Sequence, residues 1–487
     1  IGARLITVGP VLFIIGLLMS LLAVAMGLPA IADLATGNPD WQVFAGSAAV
    51  SLFVGVSLML TTRSTSMTNL NLRQAFLLTT MSWVAVAAVG ALPFAFSELE
   101  ISVADAFFES MSGITTTGST IIVGLDNAPP GILLWRALLQ WLGGVGIIVM
   151  AMAMLPILSV GGMQLFKTEA LDTPDKVLPR AAQIAGGIFA IYLFMTGLCA
   201  LALWMTGFSG FDAIAHAMTT IATGGYSTKD SSIGYFNNPI AEWIIICGMI
   251  IGSLPFLYYL RILRGNLSPI IRDSQVRWFF IVIISSVFLV ALWVSNSSNF
   301  GPNDTIRHVA FNVISILTGT GYVTQDFGLW GGFPTIFLLC LMFVGGCAGS
   351  TTCGIKIFRF QVLAASARAQ LSRLLVPHGV FIPYYNRKEI PETVSNAVMG
   401  FFFLYIVCFV VLAACLSALG LNFITAISGA ATAICNVGPG LGDSIGPSGN
   451  FGSLPETAKW LLSIGMLLGR LELFTVLVIF SPAFWTR

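Results

Sequence analysis

Apolar runs of about 20 residues recur along this chain, and no other feature restricts its fold so strongly. They cover residues 5–29, 43–61, 77–96, 184–205, 279–294 and 398–419. At ~1.5 Å of rise per residue such a run crosses a hydrocarbon core as a helix. Barrel strands would alternate polar and apolar residues, and these runs do not. Of 487 residues, 56% are hydrophobic and only 9% charged, with a mean hydropathy of +0.91. Soluble domains carry about a quarter charged residues. The expected fold class is therefore an all-α polytopic membrane protein with about ten transmembrane helices. The first run is long and many spans follow it, so it reads as a retained helix and not a signal peptide. The eight cysteines form no CxxC pair and suit free thiols acting as small apolar residues.

With the amino terminus placed in the cytoplasm, most of the 22 Lys and Arg fall on one face, among them Arg63, Arg73, Lys167, Arg261, Arg277, Lys356, Arg359 and Lys388. The positive-inside rule makes that face cytoplasmic. The opposite face holds Arg136, Lys229, Arg307 and Lys459 against an excess of acids that includes Asp33, Asp40, Glu98, Asp105, Glu109 and Asp126. A cation is drawn to such a face.

Polar loops divide the chain into two leading helices (about 5–30 and 41–62) and four repeats of the same orientation. The expected units are 1–70, with the leading helices, then 71–165, 166–272, 273–375 and 376–487. Each repeat has a first helix (about 74–97, 182–206, 276–296, 393–418), a segment too short to span, and a second helix (about 130–160, 239–265, 332–360, 455–485). Aligned without a gap, the short segments read DAFFESMSGITTTG (105–118), DAIAHAMTTIATGG (212–225), HVAFNVISILTGTG (308–321) and TAISGAATAICNVG (425–438). Each starts at a polar residue (Asp105, Asp212, His308, Thr425) and ends in glycine. That pattern predicts a capped half-helix followed by an extended stretch, with Asp304 as an alternative cap in the third copy.

Non-helical backbone at membrane depth is tolerated only where protein buries it or where it lines a watery cavity. Half-helices entering from outside point their carboxyl ends inward, where the macrodipole places roughly half a negative charge. The turns contain no Asp, Glu, Lys or Arg, so a cation would be coordinated by backbone carbonyls with hydroxyls assisting. The candidate filter residues are Thr116, Thr117, Gly118, Thr223, Gly224, Gly225, Gly319, Thr320, Gly321, Asn436, Val437 and Gly438. One glycine-rich turn alone would be only a loop. Four in register after four half-helices make a filter.

With one glycine per loop in place of TVGYG, the chain resembles the Trk/Ktr/HKT superfamily of potassium transporters over essentially its whole length. The two leading helices make it most similar to the bacterial TrkH branch. The resemblance implies potassium uptake across the bacterial cytoplasmic (inner) membrane. A serine at the first filter glycine accompanies sodium permeation in that family, so glycine at 118, 225, 321 and 438 implies a preference for potassium. The fourth loop, CNVGPG, departs most. The resemblance further implies a homodimer in the membrane and a cytoplasmic regulatory subunit of TrkA type that binds NAD or adenine nucleotides. Loops with Asp172, Asp175 and Lys176, and the basic 356–388 stretch, could dock it. The chain has no Walker A and no strand-to-helix GxGxxG, so no nucleotide domain of its own is expected and potassium is cargo. An enzyme would need a clustered nucleophile or metal set, and His216, His308 and His378 lack ligand spacing.

The second helices align on Gly143, Gly252, Gly345 and Gly469, and Arg470 follows the last of these. Counting ~1.5 Å per residue from Pro455 puts Arg470 about 22 Å down its helix. Facing lipid there would cost at least ~2.5–3.5 kcal/mol, so it should face a water-filled axis. Glu472 lies two residues on and points away, so Arg470 needs another partner. In the third repeat Gly345, Gly346, Gly349 and Gly354 with Ser350, Thr351 and Thr352 should interrupt the helix. Gly345 and Gly349 also fit a small-xxx-small helix contact, although the hydroxyls favour a loop. The resemblance implies that this loop blocks the cavity below the filter, that Arg470 impedes cations until it opens, and that Lys356 marks the exit. The competing class is a sodium- or proton-coupled carrier, which usually shows two inverted repeats and intramembrane carboxylates; only Glu472 is placed deeply here.

Overall fold

Apolar length decides which segments of this chain span, and local breaks decide where several of them stop or bend. The computed structural model describes residues 8–63, 71–153, 162, 177–266, 268–297 and 301–486. Among these, seven helices are long and apolar enough to cross a membrane: Gly9–Thr36, Trp41–Thr61, Leu72–Phe96, Pro130–Met150, Gln183–Met205, Ser274–Asn296 and Glu392–Ala418. Two bent pairs bring the total to nine. The tenth expected span, 332–360, is split: Gly332–Met342 is short, irregular chain follows, and helix resumes at Ile357–Leu375.

Both bent pairs correct the expectation of continuous second helices. Pro255 excludes its predecessor from helical geometry, so Leu254 is extended (φ −90°, ψ 155°). The chain turns 93° between Pro239–Ser253 and Phe256–Leu263. The amide of Phe256 then donates to the Gly349 carbonyl at 3.0 Å. In the fourth repeat the bend is 108° and lacks a proline. Glu472 and Leu473 take φ of +60° and +48° there, which turns the Glu472 carboxylate to Arg359.

The leading helices cross where Gly16 and Gly55 bring their backbones together, a contact any Cβ would obstruct. Asp33 joins them to the first repeat by accepting from the Gly131 amide at 2.6 Å, at the electropositive start of Pro130–Ala153. All eight cysteines are free.

Between first and second helices lie four short ones: Val103–Ile114, Gly210–Ile221, Pro302–Leu317 and Phe423–Cys435. Their caps lie about one turn earlier than expected. Ser102, Ser209 and Asn422 accept from the amides of Asp105, Asp212 and Thr425. Asp105 and Asp212 sit at N3 and take the serine hydroxyls in return. The third helix starts at Pro302 with no side-chain cap, and Asp304 pairs with Arg307 at 3.0 Å. The four basic residues expected on the acidic face each meet an acid: Arg136–Glu109 (2.8 Å), Lys229–Asp126 (3.7 Å), Arg307–Glu242 (3.1 Å) and Lys459–Asp105 (2.5 Å). Lys167, Asp172, Asp175, Lys176 and the boundary between the first two pore units lie outside the described residues.

A candidate cation filter and gate

The four short helices end alike. In each, a left-handed residue follows the last turn: Thr116 (φ 54°), Thr223 (51°), Gly319 (68°) and Asn436 (52°). Its amide donates three residues back, to Gly113, Thr220, Ile316 and Ala433. The next amide donates five back, from Thr117 to Ser112, Gly224 to Thr219, Thr320 to Ser315 and Val437 to Thr432. This pair of bonds is a Schellman ending. Threonine, a β-branched residue, rarely adopts this conformation, so two copies hold local strain.

The next residue is glycine in every copy, again left-handed: Gly118 (φ 88°), Gly225 (78°), Gly321 (81°) and Gly438 (107°). A Cβ on Gly118 would meet the carbonyl of Gly224, one on Gly225 that of Thr320, one on Gly321 that of Val437, and one on Gly438 that of Thr117. The contacts run from each repeat to the next and close on the first. Twelve residues scattered over more than 300 positions thus form one ring, and all four glycines line a single outer cavity of about 70 Å³.

Hydroxyls stiffen the ring from behind. Thr115 and Thr117 share a hydrogen bond of 2.8 Å, and Thr318 and Thr320 another of 2.8 Å. Ser112 donates to the Ser119 carbonyl and Ser315 to the matching Tyr322 carbonyl. Asn436 donates to Thr117 Oγ1 at 2.8 Å, which joins the fourth strand to the first. Glu109 accepts from Arg136 and from the Ile121 amide, while Arg136 donates to the Ser227 carbonyl at 2.8 Å. His216 and His308 are hydrogen-bonded within this scaffold, and the described residues hold no metal-type cluster.

The expected gate residues lie directly below. After Met342 the chain leaves the helix, and Gly345 and Ile355 bond across the mouth of a loop. Thr351 and Cys353 rise to its top. Thr351 shares a 3.1 Å hydrogen bond with Thr223 and donates to the Ile221 and Gly252 carbonyls; Cys353 lies 3.8 Å from Thr116 Oγ1. Thr352 supports the loop from within, accepting from the Gly346 amide and from Lys356. Ser350 Oγ donates to the Cys347 carbonyl, and Gly349 and Gly354 are left-handed. The small-xxx-small alternative does not hold, because Gly345 and Gly349 are not on a helix.

Arg470 faces this loop and not open water. It is 2% exposed and donates to the carbonyls of Thr351 (3.2 Å) and Gly143 (3.0 Å) and to Cys353 Sγ. These bonds join the third, first and fourth repeats below the ring. Beneath them is a cavity of only about 20 Å³, room for about one water. Arg359 and Glu472 form a buried ion pair on its wall. Lys356 is also buried, with its ammonium on the Thr352 carbonyl. Sequence reasoning missed Arg359, Cys353 and the Arg136–Glu109 brace, since pairs more than 20 residues apart leave no local periodicity.

Four half-helices feeding one cyclic backbone ring, closed below by a loop and an arginine, define a pore-loop membrane transport protein. The comparisons agree. The cation transport protein model named TrkH matches residues 40–487. The chain is 43% identical to the Trk system potassium uptake protein TrkI of Halomonas elongata, over 98% of this chain and 97% of that one. It is 40% identical to TrkH of Salmonella typhimurium, over 97% and 98%. The crystal structure of the potassium transporter TrkH from Vibrio parahaemolyticus superposes with a TM-score of 0.91 at 36% identity, covering 99% of this chain and all of that one. The chain belongs to the TrkH family.

Proposed function

We propose that this protein is the membrane-spanning subunit of a potassium uptake system, passing the ion through the ring at 116–118, 223–225, 319–321 and 436–438. The observation that carries this reading is the closed cycle of glycine-on-carbonyl contacts. A ring of backbone oxygens without ionisable side chains replaces the hydration shell of a monovalent cation and holds no fixed charge to trap it. The naming of all three relatives as potassium uptake proteins or a potassium transporter supports the same ion. In this reading the loop with Gly345, Gly346, Gly349, Ser350, Thr351, Thr352 and Gly354 is the gate, and Arg470 is its clasp.

The finer assignments follow from the same reading. The chain divides into two leading helices (1–70) and four pore units (71–165, 166–272, 273–375, 376–487). It lies in the bacterial cytoplasmic membrane with its amino terminus inside and works as a homodimer. The designation "Trk system" of its relatives supports a further subunit, for which a cytoplasmic nucleotide-binding protein is the candidate. The coupled-carrier alternative gains nothing from the buried acids near the pathway, because Glu109, Glu242 and Glu472 are each paired with an arginine.

The test is flux into proteoliposomes holding the purified chain, with potassium, rubidium and sodium compared. Potassium and rubidium uptake above that of empty vesicles, and above sodium, is expected. Uptake no faster than in empty vesicles, even with residues 346–352 deleted, would refute the proposal.

A further inference from the structure

The ring is fourfold in its backbone but not behind it. The residue before each filter glycine is Thr117, Gly224, Thr320 and Val437 in turn. Gly224 has no left-handed φ to explain it. A side chain is excluded there for another reason: its Cβ would overlap the amide of Gln140. Gln140 is 0% exposed and lies on the second helix of the first repeat. Its Nε2 donates to the Gly224 carbonyl at 2.6 Å, and its Oε1 accepts from the Tyr226 amide at 3.0 Å. The side-chain amide thus takes both backbone groups flanking Gly225.

The second helices show that this arrangement belongs to one repeat. Gly143, Gly252 and Gly469 each pack on the carbonyl that closes a half-helix (Ile114, Ile221, Ile434), which fixes their structural equivalence. Three residues before these glycines, and before Gly345, stand Gln140, Met249, Met342 and Met466, all buried. Methionine therefore goes with a side chain on the filter strands, and glutamine with glycine. Among the described residues no hydrogen-bond donor reaches the carbonyls of Thr117, Thr320 or Val437.

We infer that Gln140 is a specificity-determining residue that replaces the missing side chain of Gly224 and holds one ring carbonyl in place. A carbonyl held from behind resists moving inward onto an ion smaller than potassium. Sharing its lone pair with an N–H also weakens the field it presents, and a weaker field favours the more easily dehydrated ion. Both effects disfavour sodium. The inference rests on the ring being the selectivity filter.

The test uses the full chain in proteoliposomes and reads the potassium-to-sodium flux ratio. Gln140→Met should lower that ratio roughly fivefold, the size of one neutral hydrogen bond, while potassium flux persists. Gly224→Thr alone should abolish flux, because its side chain meets Gln140. The double variant Gln140→Met with Gly224→Thr, which copies the first repeat's own strand and the other helices' methionine, should recover monodisperse protein and potassium flux. A double variant no better than Gly224→Thr, or an unchanged ratio in Gln140→Met, overturns the inference. If Gln140→Met proves unstable, the double variant still decides. Gly118→Ser is the control: if it shifts the ratio and Gln140→Met does not, only the role of Gln140 fails; if Gly118→Ser leaves the ratio unchanged, the filter reading itself fails.

Discussion

Two residue types at the ring behave differently from what their names suggest. Gly321 is needed both for its φ of 81° and because a Cβ would press on the Val437 carbonyl. Gly321→Ala is therefore expected to cut rubidium uptake more than about tenfold, since the left-handed conformation alone costs ~1–2 kcal/mol and the contact adds to it. Thr116 and Thr223 hold the same hand without being glycine, and nothing in the letters TTTG or ATGG discloses that. The need for the terminal glycine could be anticipated, because only that residue type makes the conformation easy. Arg470 was legible as a charge deep in its helix needing a partner, but it faces protein and not a water-filled axis, and its partners, two carbonyls and a thiol, come from other repeats. Arg470→Ala removes all three bonds to the loop and its neighbours and is expected to raise rubidium flux severalfold. Flux that stays level or falls would remove Arg470 as a barrier.

The second helices carry most of the asymmetry at the scale of elements. One is broken by Pro255, one by the gate loop and one at Glu472, and among the described residues only Pro130–Ala153 runs unbroken. The breaks meet: the chain end freed at Pro255 is bonded by Gly349 of the loop, and the loop's exit helix is tied by Arg359 to Glu472. Arg359 is 0% exposed, so Arg359→Met leaves a carboxylate buried without its cation. Such a loss costs about 3–5 kcal/mol, whereas replacing both partners by apolar residues is near neutral. Arg359→Met should therefore lower the melting temperature in detergent, and adding Glu472→Met should restore most of it. A single variant that melts like the parent would show the pair to be dispensable. The glycine-hydroxyl run marked one break in advance; Pro255 causes another that the sequence reading took as continuous helix; the third has neither signal, and an ion pair across repeats supports it.

The whole molecule is a ring built from one chain, so features can be placed singly. In the proposed reading one loop and one arginine close the path, where a symmetric tetramer would carry each of them fourfold. The proposed homodimer predicts a mass near twice 51.9 kDa after subtraction of detergent. Light scattering in mild detergent checks this, and a monomer at all concentrations would exclude it.

Most spanning segments, the four short helices and the left-handed glycines that follow them were readable directly because each is a local demand. A bilayer imposes its thickness on consecutive residues, a helix imposes its period, and a left-handed turn imposes glycine. The long-range pairings were not readable. Gly224 looks like any flexible loop residue until Gln140, 84 positions away, is seen in the space of its side chain. Packing selects such pairs by shape and hydrogen-bond geometry across repeats, and that information exists only once the ring has closed.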